Sequence, residues 1–310
     1  MNGARREDIT PINWLRICAL GLIWGASFMF ITMALRDVGP FLIAASRISL
    51  GALFLLGLLR LKGRTLPDPR ASVGRRIWTF ALFMAVFSNV VPFLLLGWAQ
   101  QSVASGFAGV CMAAVPLIIL PLAHLMVPGE QMSARKLVGF TLGTIGVVVL
   151  IGPGAFATTG ADLEDLARLA CLGVAVCYAM GTIATRLCPD VDRLALAATV
   201  MSIGTVIITP VALIVEGVPT GLGLQGALAL LYLGVLPTGV AQILLVQVNT
   251  EAGPSFFGLV NYMVPVWSVV LGGLILAEPL PPSLLAGMAL ILGGVALSQW
   301  RALRRVFLRG

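Results

Sequence analysis

Charged residues are scarce in this sequence, and the residue types that build metal and redox sites are scarcer still. Only 11% of the 310 residues are Asp, Glu, Lys or Arg, whereas soluble domains carry about 25%. There is a single histidine, His124, and none of the five cysteines has the CxxC spacing of a metal or redox motif. Metal sites and disulfide frameworks need clustered ligands or paired cysteines. The sequence therefore predicts no metal site, no disulfide and no cofactor.

Catalytic and nucleotide-binding signatures are missing as well. Neither Lys62 nor Lys136 follows a glycine, so the sequence contains no phosphate-binding loop of the kind that supports ATP hydrolysis. An enzyme that works inside a membrane needs a Ser–His pair, paired aspartates or a His/Glu metal site. All thirteen acidic residues fall in predicted loops or at the ends of apolar runs. The sequence thus favours a protein that is not an enzyme, and an intramembrane enzyme or a channel remains a distant alternative.

Long apolar runs are what the sequence does contain, since 59% of its residues are hydrophobic and its mean hydropathy is +1.01. Runs of about 18 or more apolar residues are typical of helices that cross a membrane. We predict an all-α integral membrane protein with ten transmembrane helices, at 13–35, 41–61, 77–100, 103–127, 135–153, 168–187, 193–215, 223–247, 254–276 and 281–301. The longest connections are 62–76 and 154–167, so the chain is expected to form a single membrane domain over residues 1–310.

The positive charges are distributed in a way that predicts membrane topology. Arginine and lysine gather at both termini and at every second boundary between runs, whereas the alternate boundaries hold only Arg36, Arg168 and the acidic stretch TTGADLEDLA. This pattern places both termini in the cytoplasm and indicates a multi-pass protein of a bacterial-type plasma (inner) membrane. The net charge of +7 therefore reflects topology and attraction to anionic membrane lipid, and it does not indicate a nucleic-acid partner.

The chain repeats itself at an offset of about 150 residues. LVGFTLGTIGVV (137–148) aligns with LAGMALILGGVA (285–296), and Pro116 aligns with Pro265 one run earlier. The two repeats cover about 13–153 and about 168–301. Because each contains five predicted spans, an odd number, the second must enter the membrane with the opposite orientation. Inverted five-helix repeats are typical of secondary transporters, whose substrate site lies where the two halves meet.

The stretches LGLIWGASFMFITMAL, ASRISLGALFLL and AAVPLIILPLAHLMVPGEQ, together with NYMVPVWSVVLGGLILAEPL, resemble the EamA-type repeats of the drug/metabolite transporter superfamily. The most specific part of the resemblance is a proline followed by an apolar run and a glutamate, which occurs in each half. The two glutamates of this motif are Glu130 and Glu278. Within the superfamily the chain is most similar to the YddG-type exporters of aromatic amino acids. The resemblance implies a small-molecule carrier that exports amino acids by alternating access. An exporter of other metabolites or drugs on the same scaffold is the alternative.

Polar and aromatic residues at membrane depth are the candidates for the substrate cavity. The repeat pairs Trp24 with Tyr178, and Met112 with Asn261, so the polar chemistry is expected to be asymmetric. Amides can also serve only to join helices, and a tryptophan near the end of a span can act as an interfacial anchor. The predicted cavity residues are Trp24, Asn89, Trp98, Tyr178, Gln242, Asn261, Tyr262 and Trp267.

Three further residues have predicted roles in charge or motion. Arg47 is a charged residue inside a predicted span and is interpreted either as a charge contact for substrate or as a structural lock. Pro116 and Pro265 interrupt matching spans and are predicted hinges, because a proline inside a helix removes a hydrogen bond.

No carboxylate lies deep inside a predicted span. This absence favours weak coupling to protons or facilitated transport.

The fifth and tenth predicted spans consist almost entirely of Gly, Ala, Leu, Ile and Val. Small residues on a helix face allow close packing in a membrane. These two faces therefore suit either packing within the chain or a homodimer interface, and the sequence leaves the oligomeric state undetermined.

Overall fold

The computed structural model describes residues 10–126, 132–151, 163–300 and 303–304, apart from the side chains of Pro254 and Ser255. These residues form helices and connecting turns, and no β-strand occurs among them. Glu130, one of the two glutamates of the sequence motif, lies outside the described residues. The predicted all-α fold is confirmed for the described chain.

Fourteen α-helices account for most of the described residues. Those of the first repeat are α1 (Pro11–Ala34), α2 (Pro40–Leu61), α3 (Ser72–Ala85), α4 (Val91–Ala99), α5 (Ser105–Cys111), α6 (Val115–Met126) and α7 (Ala134–Ile151). Those of the second are α8 (Leu163–Leu187), α9 (Arg193–Val215), α10 (Leu224–Val235), α11 (Ala241–Glu251), α12 (Gly253–Phe257), α13 (Val260–Ile275) and α14 (Pro282–Ser298).

Eight helical stretches of the described chain are long and apolar enough to cross a membrane, and two further apolar helices are shorter. Three of the eight are interrupted, because α3 continues into α4, α5 into α6 and α10 into α11. The shorter two are α13, of 16 residues, and α14, of 17. The predicted ninth span is not one helix, since the chain breaks between α12 and α13. A multi-pass membrane protein follows from these lengths and compositions.

Two π-helical segments interrupt the third and eighth predicted spans at equivalent places. They are Val86–Val90, between α3 and α4, and Leu236–Val240, between α10 and α11. Pro237 lies inside the second segment and Pro92 follows the first by two residues, and a proline cannot donate a backbone hydrogen bond. A π segment widens the helix by one residue and leaves backbone carbonyls to be satisfied by side chains. Both segments therefore supply acceptors inside the fold.

The Gly-rich faces of the fifth and tenth predicted spans, now α7 and α14, are used within the chain. A Cβ added at Gly294 would meet the backbone of Gly139 and Gly143, and one added at Gly287 would meet the backbone of Leu150. The two helices thus approach backbone to backbone, as small residues permit in membranes. Of the two interpretations of these faces, packing within the chain accounts for the glycines, and a homodimer stays a prediction.

The remaining helices pair across the two repeats and enclose the centre of the molecule. Helix α1 packs against α13 and α10, α2 against α9, and α4 against α8. An ion pair of 2.5 Å between Arg16 and Glu251 joins the start of α1 to the end of α11, and another joins Arg64 to Asp192 at the end of α2 and the start of α9. We call this end of the molecule the terminal face, and the opposite end the distal face.

Candidate functional site

A central cavity of about 390 Å³ lies between the two repeats. Its walls come from α1, α2, α4, α6, α8, α9, α11, α13, both π segments and the 3-10 turn before α6, so neither repeat forms it alone. The volume falls in the range of pockets that hold small molecules. Seven residues selected from the sequence line it: Trp24, Arg47, Asn89, Tyr178, Gln242, Asn261 and Pro265.

Four selected residues lie elsewhere. Trp98 is 38% exposed near the end of α4, where an interfacial anchor is expected. Trp267 packs beside Gly25 on α1, and Pro116 is buried in α6, so both contribute to helix packing. Tyr262 also falls outside the lining, and its buried hydroxyl has no partner among the described residues. The structure therefore does not bring these four residues to the cavity.

Trp24 connects the first repeat to the second π segment. Its indole Nε1 donates a hydrogen bond of 3.0 Å to the carbonyl oxygen of Pro237, and its ring contacts Phe257 edge to face at 6.2 Å between centroids. One edge of the indole is thus held by backbone while the side chain lines the cavity. This arrangement fixes the orientation of an aromatic wall, because a buried indole N–H needs an acceptor.

Asn89 and Thr238 occupy equivalent positions and make equivalent bonds. The Asn89 amide donates to the carbonyl of Met84 at 3.2 Å, and the Thr238 hydroxyl donates to the carbonyl of Leu233 at 3.0 Å. In both cases the donor lies in the π segment and the acceptor lies five residues earlier, in the last turn of the preceding α-helix. Each polar side chain is therefore bonded to the backbone across the change from α to π geometry.

Arg47 is the single charged side chain among the described residues that line the cavity. It is buried, with 7% of its surface exposed, its Nε donates to the Thr238 hydroxyl at 3.3 Å, and its Cζ lies 3.8 Å from the centroid of the Phe93 ring. No acidic residue of the described chain pairs with it. One edge of the guanidinium is held by Thr238 and its face by Phe93, so the remaining N–H groups stay available towards the cavity.

Hydroxyl groups that the sequence interpretation missed also line the cavity. They are Ser27 on α1, Ser88 in the first π segment, and Thr182 and Thr185 on α8. Thr182 and Thr185 follow Tyr178 by four and seven residues, the spacing that returns to one side of a helix. Extending the helical period from Tyr178 would have found them.

The cavity differs at its two ends. At the terminal face the lining reaches Thr185, which is exposed, close to the end of α8. Towards the distal face it ends at Ile31 and Leu96, each 2% exposed. The amide of Gln100, at the distal end of α4, is buried without a partner among the described residues. The molecule is therefore open towards the terminal face and closed at the distal face.

Carboxylates from one repeat cap helices of the other at the closed distal face. Glu216, after α9, accepts from the backbone N–H groups of Phe41 and Leu42 in α2, at 2.9 Å each. Glu278, after α13, accepts from the start of α5. In the opposite sense, Asp37 of the first repeat accepts from the N–H of Gly223 before α10 at 3.1 Å. Negative groups are favourable at helix N-termini, so these contacts hold the repeats together.

Among residues 10–126, 132–151, 163–300 and 303–304, no group of three His, Cys, Asp or Glu side chains could hold a metal ion. The five cysteines are free thiols. The polar groups of the cavity are amides, hydroxyls and one guanidinium, which suit binding of a small polar molecule.

Sequence comparisons place this chain among transporters. The sequence model of the EamA-like transporter family matches residues 13–152 and 166–300. The uncharacterized transporter YoaV of Bacillus subtilis is 23% identical over 293 residues, covering 94% of this chain and 98% of YoaV. The uncharacterized inner membrane transporter YedA of Escherichia coli K12 is 26% identical over 258 residues, covering 82% of this chain and 79% of YedA.

A solved crystal structure of another protein has the same fold. Its TM-score is 0.67 at 22% sequence identity, and the match covers 94% of this chain and 99% of that one.

Proposed function

Because this chain belongs to the EamA-like transporter family, we propose that it is an ATP-independent carrier of amino acids, aromatic and hydrophobic ones above all. It works in a bacterial-type inner membrane with ten membrane-crossing segments, formed by the eight long helical stretches together with α13 and α14. Both termini lie in the cytoplasm, so the terminal face is cytoplasmic. The two repeats act as inverted halves, and transport is outward.

The observation that carries the proposal is the uncompensated charge of Arg47 in the central cavity. A guanidinium binds a carboxylate with paired, charge-assisted hydrogen bonds. Burial of a lone cation in a membrane protein is costly, and a bound carboxylate offsets that cost. The same charge disfavours amphipathic cations, so an exporter of cationic drugs is the weaker alternative on this scaffold.

The other cavity residues suit the rest of an amino acid. Trp24 and Tyr178 offer aromatic faces for an apolar or aromatic side chain, and an aromatic face also attracts an ammonium group. The amide oxygens of Gln242 and Asn261 can accept from the same ammonium. These residues come from α1, α8, α11 and α13, so a bound amino acid contacts both repeats.

One observation favours a second candidate substrate class. Among the described residues of the lining there is no Asp or Glu to pair with an ammonium. Aromatic or aliphatic carboxylic acids without an amino group are therefore the second candidate. Binding of such an acid requires only the contact with Arg47 and the aromatic walls.

Alternating access follows from the two ends of the cavity. The present conformation corresponds to the cytoplasm-open state, and exchange of the conformations of the two inverted halves gives the outward-open state. Opening the distal face separates Asp37, Glu216 and Glu278 from the helices they cap, and it exposes the buried amide of Gln100 to water. Since the described lining has no Asp, Glu or His, we expect facilitated or weakly proton-coupled transport.

Counterflow in proteoliposomes tests the proposal. Vesicles loaded with one unlabelled compound are assayed for uptake of the labelled form, using phenylalanine, phenethylamine and 3-phenylpropanoate as a matched series. The proposal predicts exchange of phenylalanine and none of phenethylamine. Exchange of 3-phenylpropanoate alone selects the second candidate, and exchange of phenethylamine alone contradicts both. A pH gradient imposed in the same vesicles measures coupling, and strong acceleration contradicts the weakly coupled mechanism.

A further inference from the structure

A second, almost wholly apolar cavity of about 440 Å³ lies on the outer side of α8, and we call it the lateral groove. Its floor is α8, and its walls are α3 and α6. Both wall helices pack against α8 without forming a comparable interface with each other. The groove includes Phe80 and Phe83 from α3, Leu122 and Met126 from α6, and Met180 and Ile183 from α8.

The lateral groove is separate from the central cavity. Thr182 and Thr185 line the central cavity, whereas Met180 and Ile183 lie on the other side of the same helix and line the groove. The Thr185 hydroxyl contacts the sulfur of Met84 at 3.2 Å, and Met84 is buried, with 5% of its surface exposed. Helix α8 and Met84 thus form the wall between the two spaces.

The depth of the groove matches one leaflet of a bilayer. Its α8 floor extends from Val176 to Leu187, eleven residue steps, which correspond to about 16 Å along a helix. The hydrocarbon core of a bilayer is about 30 Å thick, so one leaflet contributes about 15 Å. Leu187 and Met126 end their helices at the terminal face, so the groove occupies the leaflet on that side.

Two cations stand at the mouth of the groove. Arg75 and Arg76 are the fourth and fifth residues of α3, one turn before Thr79 and Phe80, which line the groove. Both arginines are exposed, and neither forms an ion pair with any acidic residue of the described chain. An apolar slot that ends at paired arginines is complementary to a lipid with an anionic headgroup.

We propose that the lateral groove is a binding site for an anionic phospholipid of the cytoplasmic leaflet. One acyl chain lies along α8 between α3 and α6, and Arg75 and Arg76 bind the phosphate of the headgroup. The acyl chain has the same apolar surroundings in the groove as in the bilayer. The selectivity for an anionic over a zwitterionic headgroup therefore comes from the arginines. Each arginine near a membrane surface favours an anionic lipid about fivefold, which gives about 25-fold for the pair.

Native mass spectrometry of the purified full-length chain measures this selectivity. The protein in detergent is titrated with dioleoyl phosphatidylglycerol and with dioleoyl phosphatidylcholine, which share their acyl chains. We expect phosphatidylglycerol to be retained about 25-fold more strongly, and R75Q/R76Q to remove the difference. The matched control is R60Q/K62Q, which removes two exposed cations from the end of α2, a helix that does not border the groove. Equal retention of the two lipids, or an equal loss of selectivity in the control, overturns the proposal.

Photo-crosslinking locates the lipid and is independent of transport activity. Phosphatidylglycerol with a diazirine on its acyl chain is expected to label α3, α6 and α8, and Val176→Trp, which fills the groove while leaving both arginines in place, is expected to abolish that labelling. The melting temperature of V176W checks that the variant is folded; if it is not, Met180→Phe serves as the milder filling variant. Adducts confined to other helices overturn the proposal. Displacement of the lipid by a compound active in counterflow also overturns it, because the groove is then a lateral route for substrate.

Discussion

The carboxylate of Glu278 closes the start of α5 through three hydrogen bonds, two from Ser105 and one from Gly106. Oε1 accepts from the Ser105 backbone N–H at 2.8 Å, and Oε2 accepts from the Ser105 hydroxyl at 2.9 Å and from the Gly106 N–H at 3.0 Å. Ala277, immediately before the glutamate, adopts a left-handed backbone with φ of 53°. That turn lets the end of α13 in one repeat reach a helix of the other at the closed distal face.

Glu278→Gln is expected to loosen the closed distal face. The amide has one oxygen in place of two acceptor oxygens, and it lacks the charge that favours a helix N-terminus. A cysteine at Leu96 in a cysteine-free background should then react several-fold faster with a membrane-impermeant maleimide added from outside. Glu164→Gln is the control, since Glu164 pairs with Arg168 within its own helix. Equal labelling in E278Q and the parent would contradict the role of Glu278 in holding the distal face closed.

Arg47→Gln is expected to weaken transport of carboxylates selectively. Hydrogen bonds to charged groups contribute about 1.5–3 kcal/mol, so the apparent KM for an active carboxylate should rise about tenfold to a hundredfold. Arg47→Lys should recover part of the loss, because it restores the charge without the paired geometry. Arg36→Gln removes an exposed cation outside the cavity and should transport normally. If R47Q retains the KM of the parent, Arg47 is a structural lock.

Trp24→Phe is expected to lower both stability and transport. The variant keeps an aromatic ring but leaves the Pro237 carbonyl without its donor, which costs about 1–3 kcal/mol when the group is buried. Thermal unfolding in detergent should show a lower melting temperature than the parent. Trp98→Phe, at an exposed position outside the cavity, should leave the melting temperature and counterflow unchanged. Equal effects of the two changes would show that the bond to Pro237 is unimportant.

Pro265→Ala tests the predicted hinge. Pro265 lies inside α13, lines the cavity and accepts a hydrogen bond from the Ser268 hydroxyl at 2.8 Å. An alanine can donate the missing helical hydrogen bond and straighten the helix, so the turnover rate should fall while substrate affinity is retained. Pro210→Ala is the control, because Pro210 is also inside a helix but is exposed on α9. A turnover rate equal to that of the parent would mean that the kink only shapes the cavity.

Gly294→Ala is expected to destabilise the fold through the contact of α14 with α7. The added Cβ meets the Gly139 carbonyl and the backbone of Gly143, which cannot move as a side chain can. Gly57→Ala is the matched change, since a Cβ there meets nothing within 4 Å and alanine is the better helix former by about 1 kcal/mol. The melting temperature should fall for G294A and hold or rise for G57A. A lower melting temperature for G57A alone would contradict the packing argument.

The class of fold could be predicted because apolar length is a local property. Runs of apolar residues, the alternation of basic boundaries and the aligned Pro116 and Pro265 are all visible in the sequence. The break between α12 and α13 and the π form of the two interruptions could not be read in the same way. They depend on which neighbouring side chains satisfy the freed carbonyls, as Trp24 does for Pro237.

The site was partly predictable for a related reason. Trp24, Tyr178 and Asn261 lie deep in their spans, where an indole N–H, a hydroxyl or an amide needs a polar partner, and all three line the cavity. Tyr262 and Trp267 satisfy the same rule, yet they lie on other sides of α13. Depth follows from sequence position, but rotation of a helix about its axis depends on its neighbours.

The sequence by itself determined that this chain is a multi-pass helical membrane protein with two similar halves, because hydrocarbon accepts only long apolar helices and a duplication leaves matching residues. Only the tertiary structure decided which face each helix turns inward. It brought Arg47 from α2 to Thr238 and Phe93 at the cavity, and it used the glycines of α7 and α14 within the chain. It also opened one end of the cavity and closed the other. These features arise from packing between residues that are distant in sequence, and no local pattern contains that information.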